Sequence, residues 1–170
     1  MGCFEPLDMM RSLCPDPSTK FITPHHTDSS RSTTTWEQLI TSCTHPTPPT
    51  HTSSLIFIAR GNNSNMDTLM KNTKSVGNKL KRIYNTVAWN PFPVDFWFSK
   101  EPHFQEKKCV SILANTSQAG DYMRSVHENA KMMFDEKAYL HWYQKYNCEE
   151  TVFREAFENV KTIIDNYYRM

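Results

Sequence analysis

Histidine and cysteine are the residues of this chain best suited to hold a metal or move a proton, and their spacing assigns them neither task. His25, His26, His45 and His51 gather around Cys43, but without the short repeated intervals that aim several ligands at one ion. The five cysteines (Cys3, Cys14, Cys43, Cys109 and Cys148) are scattered, odd in number and never in a C-x-x-C pair. They read as free thiols of a reducing compartment. His103, His127 and His141 are the other proton carriers. No Ser or Cys nucleophile constellation accompanies them, and a triad is defined by geometry, not by order along the chain. Gly61-Asn62-Asn63 is turn chemistry, and no phosphate-cradling P-loop occurs. No catalytic, cofactor-binding or metal-binding residue is assigned, and the chain is read as no enzyme.

Charge narrows the partners. With 19 basic and 18 acidic residues the net charge is +1, no field for nucleic acid or an anionic membrane. The longest apolar run falls far short of the ~20 residues of a membrane span. Residues 1–10 hold Glu5 and Asp8 in place of the apolar core of a secretory signal. A soluble intracellular chain is expected, with neither nucleic acid nor membrane as a partner.

Four segments are expected to position these residues. Residues 1–22 carry a short helix, with Leu7, Met10 and Leu13 on one face and Pro15 and Pro17 as its stop. In residues 23–53, Ser, Thr, Pro and His make up about three quarters of the positions. Such a tract buries too little apolar surface to offset its ordering entropy, so disorder is expected, with at most a helical turn at Trp36–Ile40. Its Ser and Thr residues are open to phosphorylation.

Residues 54–146 are the folded domain. Leu55-Ile56-Phe57-Ile58-Ala59 reads as a strand covered on both faces. A helix follows, capped by Ser64 or Asn65, with Met66, Leu69, Met70, Thr73, Val76 and Leu80 at helical spacing and weakened by Gly77. Strands are expected at 84–88, 94–98 and 109–114, with a polar loop at 99–107. A further helix carries Tyr122, Val126, Ala130 and Met133 on one face. Residues 147–170 form the last helix, capped by Asn147 with Glu150, with Val152, Phe153, Ala156, Val160, Ile163, Ile164 and Tyr167 as its apolar stripe. The order suggests an α+β sheet with helices packed on it.

Several stretches resemble one family in matching order. Gly2-Cys3-Phe4-Glu5-Pro6, Met9-Met10 and Cys14-Pro15-Asp16-Pro17 resemble a helix and "C-D-P" turn. Ile58-Ala59-Arg60-Gly61 resembles an "R-G" strand end, Val87-Ala88-Trp89-Asn90-Pro91 a "V-x-W-x-P" segment, and Leu113-Ala114-Asn115-Thr116-Ser117 an "N-[ST]-[ST]" turn. Most specific is Phe134-Asp135-Glu136-Lys137-Ala138-Tyr139-Leu140-His141-Trp142-Tyr143, followed by Phe153-Arg154-Glu155-Ala156. The family is tubulin. The resemblance covers all but the 23–53 tract, which reads as an insert.

The resemblance implies the tubulin C-terminal two-layer sandwich plus C-terminal helices. The Rossmann-like nucleotide-binding domain, with its GTP loops and the lateral-contact M-loop, is expected to lie upstream of this chain, which would then hold no GTP site of its own. The insert and the lack of an acidic tail point to the δ, ε and ζ branch, ζ first. That branch is linked to centrioles, basal bodies and cilia. Implied partners are other tubulin subunits and centriolar proteins, met through assembly.

Trp89, Pro91, Lys137, His141 and Trp142 are the candidate longitudinal contact. Trp142 fits contact or core equally, while Tyr139 and Leu140 are expected in the core. Glu149, Arg154, Glu155, Glu158 and Lys161 are the candidate partner-binding face of the last helix, although an ordinary solvated face shows the same charge alternation. Two other readings are a free-standing adaptor for centriolar proteins and an enzyme with a new site in the 23–53 tract. The composition of that tract argues against the second.

Overall fold

The computed structural model describes residues 6–29, 31, 33–44, 49, 51–61, 65–101 and 108–170. The elements are α1 (Pro6–Leu13), β1 (Thr23–Ser29), α2 (Trp36–Cys43), β2 (Thr52–Gly61), α3 (Asn65–Lys71), α4 (Thr73–Ile83), β3 (Val94–Ser99), β4 (Lys108–Thr116), α5 (Gln118–Asp135), α6 (Leu140–Lys145) and α7 (Glu150–Tyr168). They fall into two units, Met1–Thr116 and Ser117–Met170. This division differs from the expected boundary at 146, since α5 and α6 go with α7.

The first unit is built on a four-stranded sheet in the order β1-β4-β2-β3. β4 pairs antiparallel with both β1 and β2, and β3 runs parallel to β2. The apolar run at 55–59 is therefore an interior strand, as its uninterrupted hydrophobicity predicts. Alternation divides its residues between two faces. Leu55, Phe57 and Ala59 pair with Ala114, Ile112 and Val110 and join Trp36, Leu39, Ile40, Met66, Leu69, Leu80 and Tyr84 in one buried core under α2, α3 and α4. Phe96 and Phe98 extend it from β3, with ring centroids 5.7 and 6.4 Å from that of Phe57. Ser54, Asp95 and Asn115 project from the opposite face, and all three bond to the end of α1 or the turn after it.

The 23–53 tract is not the disordered insert that its composition suggests. It contains β1 and α2. β1 gains its order from pairing with β4, which meets the backbone polar groups along one edge of the strand whatever its side chains are. α2 has a complete capping box between Thr35 and Gln38 and buries Trp36, Leu39, Ile40 and Cys43. These four stand at i, i+3, i+4 and i+7, a helical stripe that averaging over a polar tract conceals. Residues 45–48 and 50 lie outside the described part.

Other expectations change as well. The helix predicted from Met66 to Leu80 is two helices, parted at Asn72. Ser64 lies outside the described residues, so its capping role is not assigned. Residues 84–88 are a turn, not a strand: Asn85 takes a left-handed φ of 44° and Thr86 makes an isolated bridge to Thr52. Asn147 does not cap α7. It lies at φ 59°, and Glu149 directly precedes the helix without a side-chain capping bond. In α1 only Leu13 is buried, while Leu7 and Met10 are exposed.

In the second unit α5 and α7 run antiparallel. Gly120 lies against Tyr167 at one end, and Phe134 meets Phe153 and Phe157 at the other. The inward face of α5 carries Gly120, His127 and Phe134. The expected stripe of Tyr122, Val126, Ala130 and Met133 is exposed instead. On α7 the packed positions are Phe153, Phe157, Val160, Ile164 and Tyr167, whereas Val152 and Ala156 are exposed.

A Cβ on Gly120 would stand 2.8 Å from Tyr167 Cβ, closer than carbons tolerate. Gly120→Ala gains about 1 kcal/mol of helix propensity, but overpacking against a main-chain-proximal atom costs about 1–3 kcal/mol. A net loss of stability is expected in thermal denaturation, and a stabilised variant would contradict this packing.

Candidate interaction surface

The segment at 87–93 leaves the core at Val87 and returns at Pro93, both buried. The Val87 amide donates to Thr52 O at 3.0 Å, and the Leu55 amide donates to Pro93 O at 2.7 Å, so both ends are tied to β2. Asn90 braces the middle. Its Nδ2 donates to Ser53 O at 2.8 Å, and its Oδ1 accepts the Phe92 amide at 3.0 Å, an Asx-type turn. The braced loop holds Trp89 52% exposed and Phe92 86% exposed, with Pro91 exposed between them. Large apolar side chains on a loop held at both ends lose little entropy on binding. Phe92 and Asn90 are missing from the residues picked by sequence. The Asn-Pro dipeptide, which favours turn initiation, is the signal that could have found Asn90.

The second unit presents Lys137, His141 and Trp142. Lys137 takes φ 54° and Tyr139 φ 60°, a sparsely populated backbone region for a bulky residue. The turn at 136–139 reverses the chain so that Leu140 at the start of α6 is buried. Tyr139 departs from expectation: it is 64% exposed, as are Trp142 at 53% and Tyr146 at 77%. The turn that buries Leu140 leaves Tyr139 on the solvent side. His141 and Trp142 are brought together, with ring centroids 5.2 Å apart, and Lys145 Nζ lies 5.6 Å from the Trp142 centroid.

Of the proposed charged face, Arg154, Glu158 and Lys161 line a groove of about 570 Å³ between α5 and α7, floored by Phe134 and Phe157. Arg154 pairs with Glu150 at 3.7 Å and lies over the Phe134 ring. Glu149 and Glu155 are exposed. At the other end of the unit, the Tyr168 hydroxyl donates to Asp121, and Arg124 lies over its ring. Burial, then the hydrogen bond to and the charge of Asp121, push the Tyr168 hydroxyl up to about 12.

The metal and proton-transfer candidates separate. His25 and His26 project from opposite faces of β1, and His26 Nδ1 lies 2.8 Å from Ser111 Oγ. Cys43 points its sulfur at Val110 O and His25 O, and burial pushes its thiol up, away from reactivity. Among the described residues no three His, Cys, Asp or Glu side chains converge on one point. His45 and His103 lie outside the described residues. His127 stacks edge-on against Phe157. Among the described residues no helix is long and apolar enough to cross a membrane.

No protein-family profile matches the chain. Individual proteins do. Over 116 residues, 68% of this chain, it is 28% identical to "beta-Tubulin at 65B" of Drosophila melanogaster, covering 24% of that protein. The "Tubulin beta-1 chain" of Anemia phyllitidis matches at 28% over 116 residues, again 68% of this chain, and 25% of its own length is covered. The nucleomorph tubulin beta chain of Guillardia theta matches at 27% over 100 residues, 56% of this chain and 23% of the relative. These homologues support the tubulin superfamily. The chain spans about a quarter of the length of the curated relatives it matches. A mixed four-stranded sheet with packed helices is compatible with the C-terminal part of a tubulin.

Proposed function

We propose that this chain is a tubulin-like cytoskeletal protein that acts by subunit assembly and partner binding in microtubule-based structures. The observation that carries the reading is the similarity to three β-tubulins. A braced, exposed Trp89-Asn90-Pro91-Phe92 loop supports it, since it gives the first unit a rigid apolar contact. Other tubulin subunits are the partners, with Trp89, Pro91, Lys137, His141 and Trp142 on the longitudinal contact.

Trp89→Ala is expected to weaken association with tubulin subunits by tenfold or more, about 2 kcal/mol, as loss of an aromatic anchor does. Sedimentation of mixtures reads the effect. The unfolding midpoint is measured beside it, because the buried half of the residue also supports the fold. Unchanged association would remove Trp89 from the contact.

The finer assignment is to the δ, ε and ζ branch, ζ first, in centrioles, basal bodies or cilia. The 23–53 tract no longer supports it as an insert, since it carries β1 and α2. Divergence supports it: identity to the three β-tubulins named above is 27–28%. The chain acts in assembly without GTP of its own, and titration with a fluorescent GTP analogue is expected to give no saturable binding. Saturable, competable binding would show that its residues do hold nucleotide.

A further inference from the structure

A run of charge of a single sign lies on and just before α4, on residues to which no role is assigned above. Between Asp67 and Asp95 there is no acidic residue, yet Lys71, Lys74, Lys79, Lys81 and Arg82 fall within that stretch. Five positive charges against a chain total of +1 leave −4 for the rest. Four of the five belong to α4, whose other face, Val76, Gly77, Leu80 and Ile83, is turned to the core. At about 100° per residue the four cations share an arc of roughly 160° opposite that face. Lys71, Lys74, Lys79 and Arg82 are exposed. Among the described residues none of the five makes an ion pair: Lys79 Nζ donates to the neutral Thr41 Oγ1 at 3.4 Å. An open cleft runs along the same face, lined by Ser75, Asn78, Lys79, Arg82 and Ile83.

Structure alone does not require this arrangement. A solvated helix face ordinarily mixes signs at i and i+4, which gains a few tenths of a kcal/mol per pair. Here like charges stand one turn apart and repel. The pattern is complementary to a line of negative charge, and its pitch selects the kind of line. Lys74, Asn78 and Arg82 are stacked one turn apart, about 6 Å per step. An extended peptide presents alternate side chains on one side every ~6.6 Å. A strand with carboxylates four residues apart, about 13 Å, therefore spans the ~12 Å from Lys74 to Arg82, with the Asn78 amide meeting the residue between.

We propose that the outer face of α4 is a docking site for an extended acidic peptide with Glu or Asp at alternate positions. Nucleic acid fits less well. None of the stripe residues is aromatic, so bases have nothing to stack on. The site does not depend on the tubulin reading.

The test is fluorescence anisotropy of a labelled alternating Glu-Ser peptide on the full chain, at low salt and at about 0.15 M, where the Debye length is about 8 Å. A uridine oligonucleotide of equal charge and an alternating Lys-Ser peptide serve as comparisons. Saturable binding of the Glu-Ser peptide is expected, weaker at the higher salt. The double variant Lys74→Glu with Arg82→Glu should reduce it at least tenfold with an unchanged circular dichroism spectrum. Should the double reversal unfold, Lys74→Gln with Arg82→Gln decides, with a severalfold loss expected. Absence of peptide binding, binding indifferent to these substitutions, or an oligonucleotide that binds as tightly as the peptide would each overturn the proposal.

Discussion

Phe57→Ala is expected to destabilise the first unit by about 3–5 kcal/mol, the range for truncating a fully buried phenylalanine. Phe57 is 0% exposed on an interior strand. Its ring touches Phe96 and Phe98 on β3 and faces the same core as Trp36, Leu39 and Leu80. The cavity would open where the sheet meets its helices, and two aromatic rings on a neighbouring strand would have to collapse into it. Domains typically have 5–15 kcal/mol of net stability, so a large share is at stake. Urea denaturation should show a lower midpoint with little change in slope. Phe57→Leu, which keeps much of the volume, should lose far less. A loss below about 1 kcal/mol for Phe57→Ala would mean that this core is loosely packed, contrary to the native close packing of interiors.

Asn115→Ala is the second large effect, and its cause is polar. Asn115 is 0% exposed near the end of β4. Its Nδ2 donates to Leu13 O at 2.9 Å and to Thr19 O at 2.8 Å, tying together the end of α1 and the turn that follows. Leu13 O also accepts from Ser54 Oγ at 2.6 Å and would keep that partner. Thr19 O would lose the Asn115 donor in a buried setting, which costs about 1–3 kcal/mol. With the lost packing, a total of about 2–4 kcal/mol is expected. Hydrogen exchange should rise at residues 8–19 well before the β2–β4 ladder is affected. Asn115→Asp should be worse at neutral pH, because a carboxylate has no proton to give to either carbonyl. Exchange that rises uniformly over the unit would contradict this local role.

Asn115 shows how far a motif can be read. Its place shortly before a helix was legible, but the turn expected at Asn115-Thr116-Ser117 is largely strand, since β4 runs through Thr116. That its amide reaches back about a hundred positions to Leu13 and Thr19 was not legible. No local pattern encodes which buried carbonyl lacks a donor. The braced loop at 87–93 divides in the same way. Trp89 and Pro91 stood out by type, while the bonds from Asn90 that turn an exposed aromatic into a held one depend on Ser53 in another element.

By itself the sequence determined whatever is repeated locally or carried by residue type. It identified the interior strand at 55–59, because an unbroken apolar run has no solvent face to offer. It also identified the strands near 94 and 109, the long final helix, the absence of ligand-spaced His and Cys, and the tubulin resemblance. Tertiary structure decided the rest, wherever the partner lay far away. Thr23–Ser29 is polar enough to read as disordered, yet it is ordered because one edge of it pairs along its length with β4. The apolar stripe of α5 was legible as a stripe, but it stays exposed because Gly120, His127 and Phe134 are the positions that fit against α7. Periodicity reports that a face exists. Which face is buried depends on where a small residue allows two helices to approach, and only the packed chain settles that.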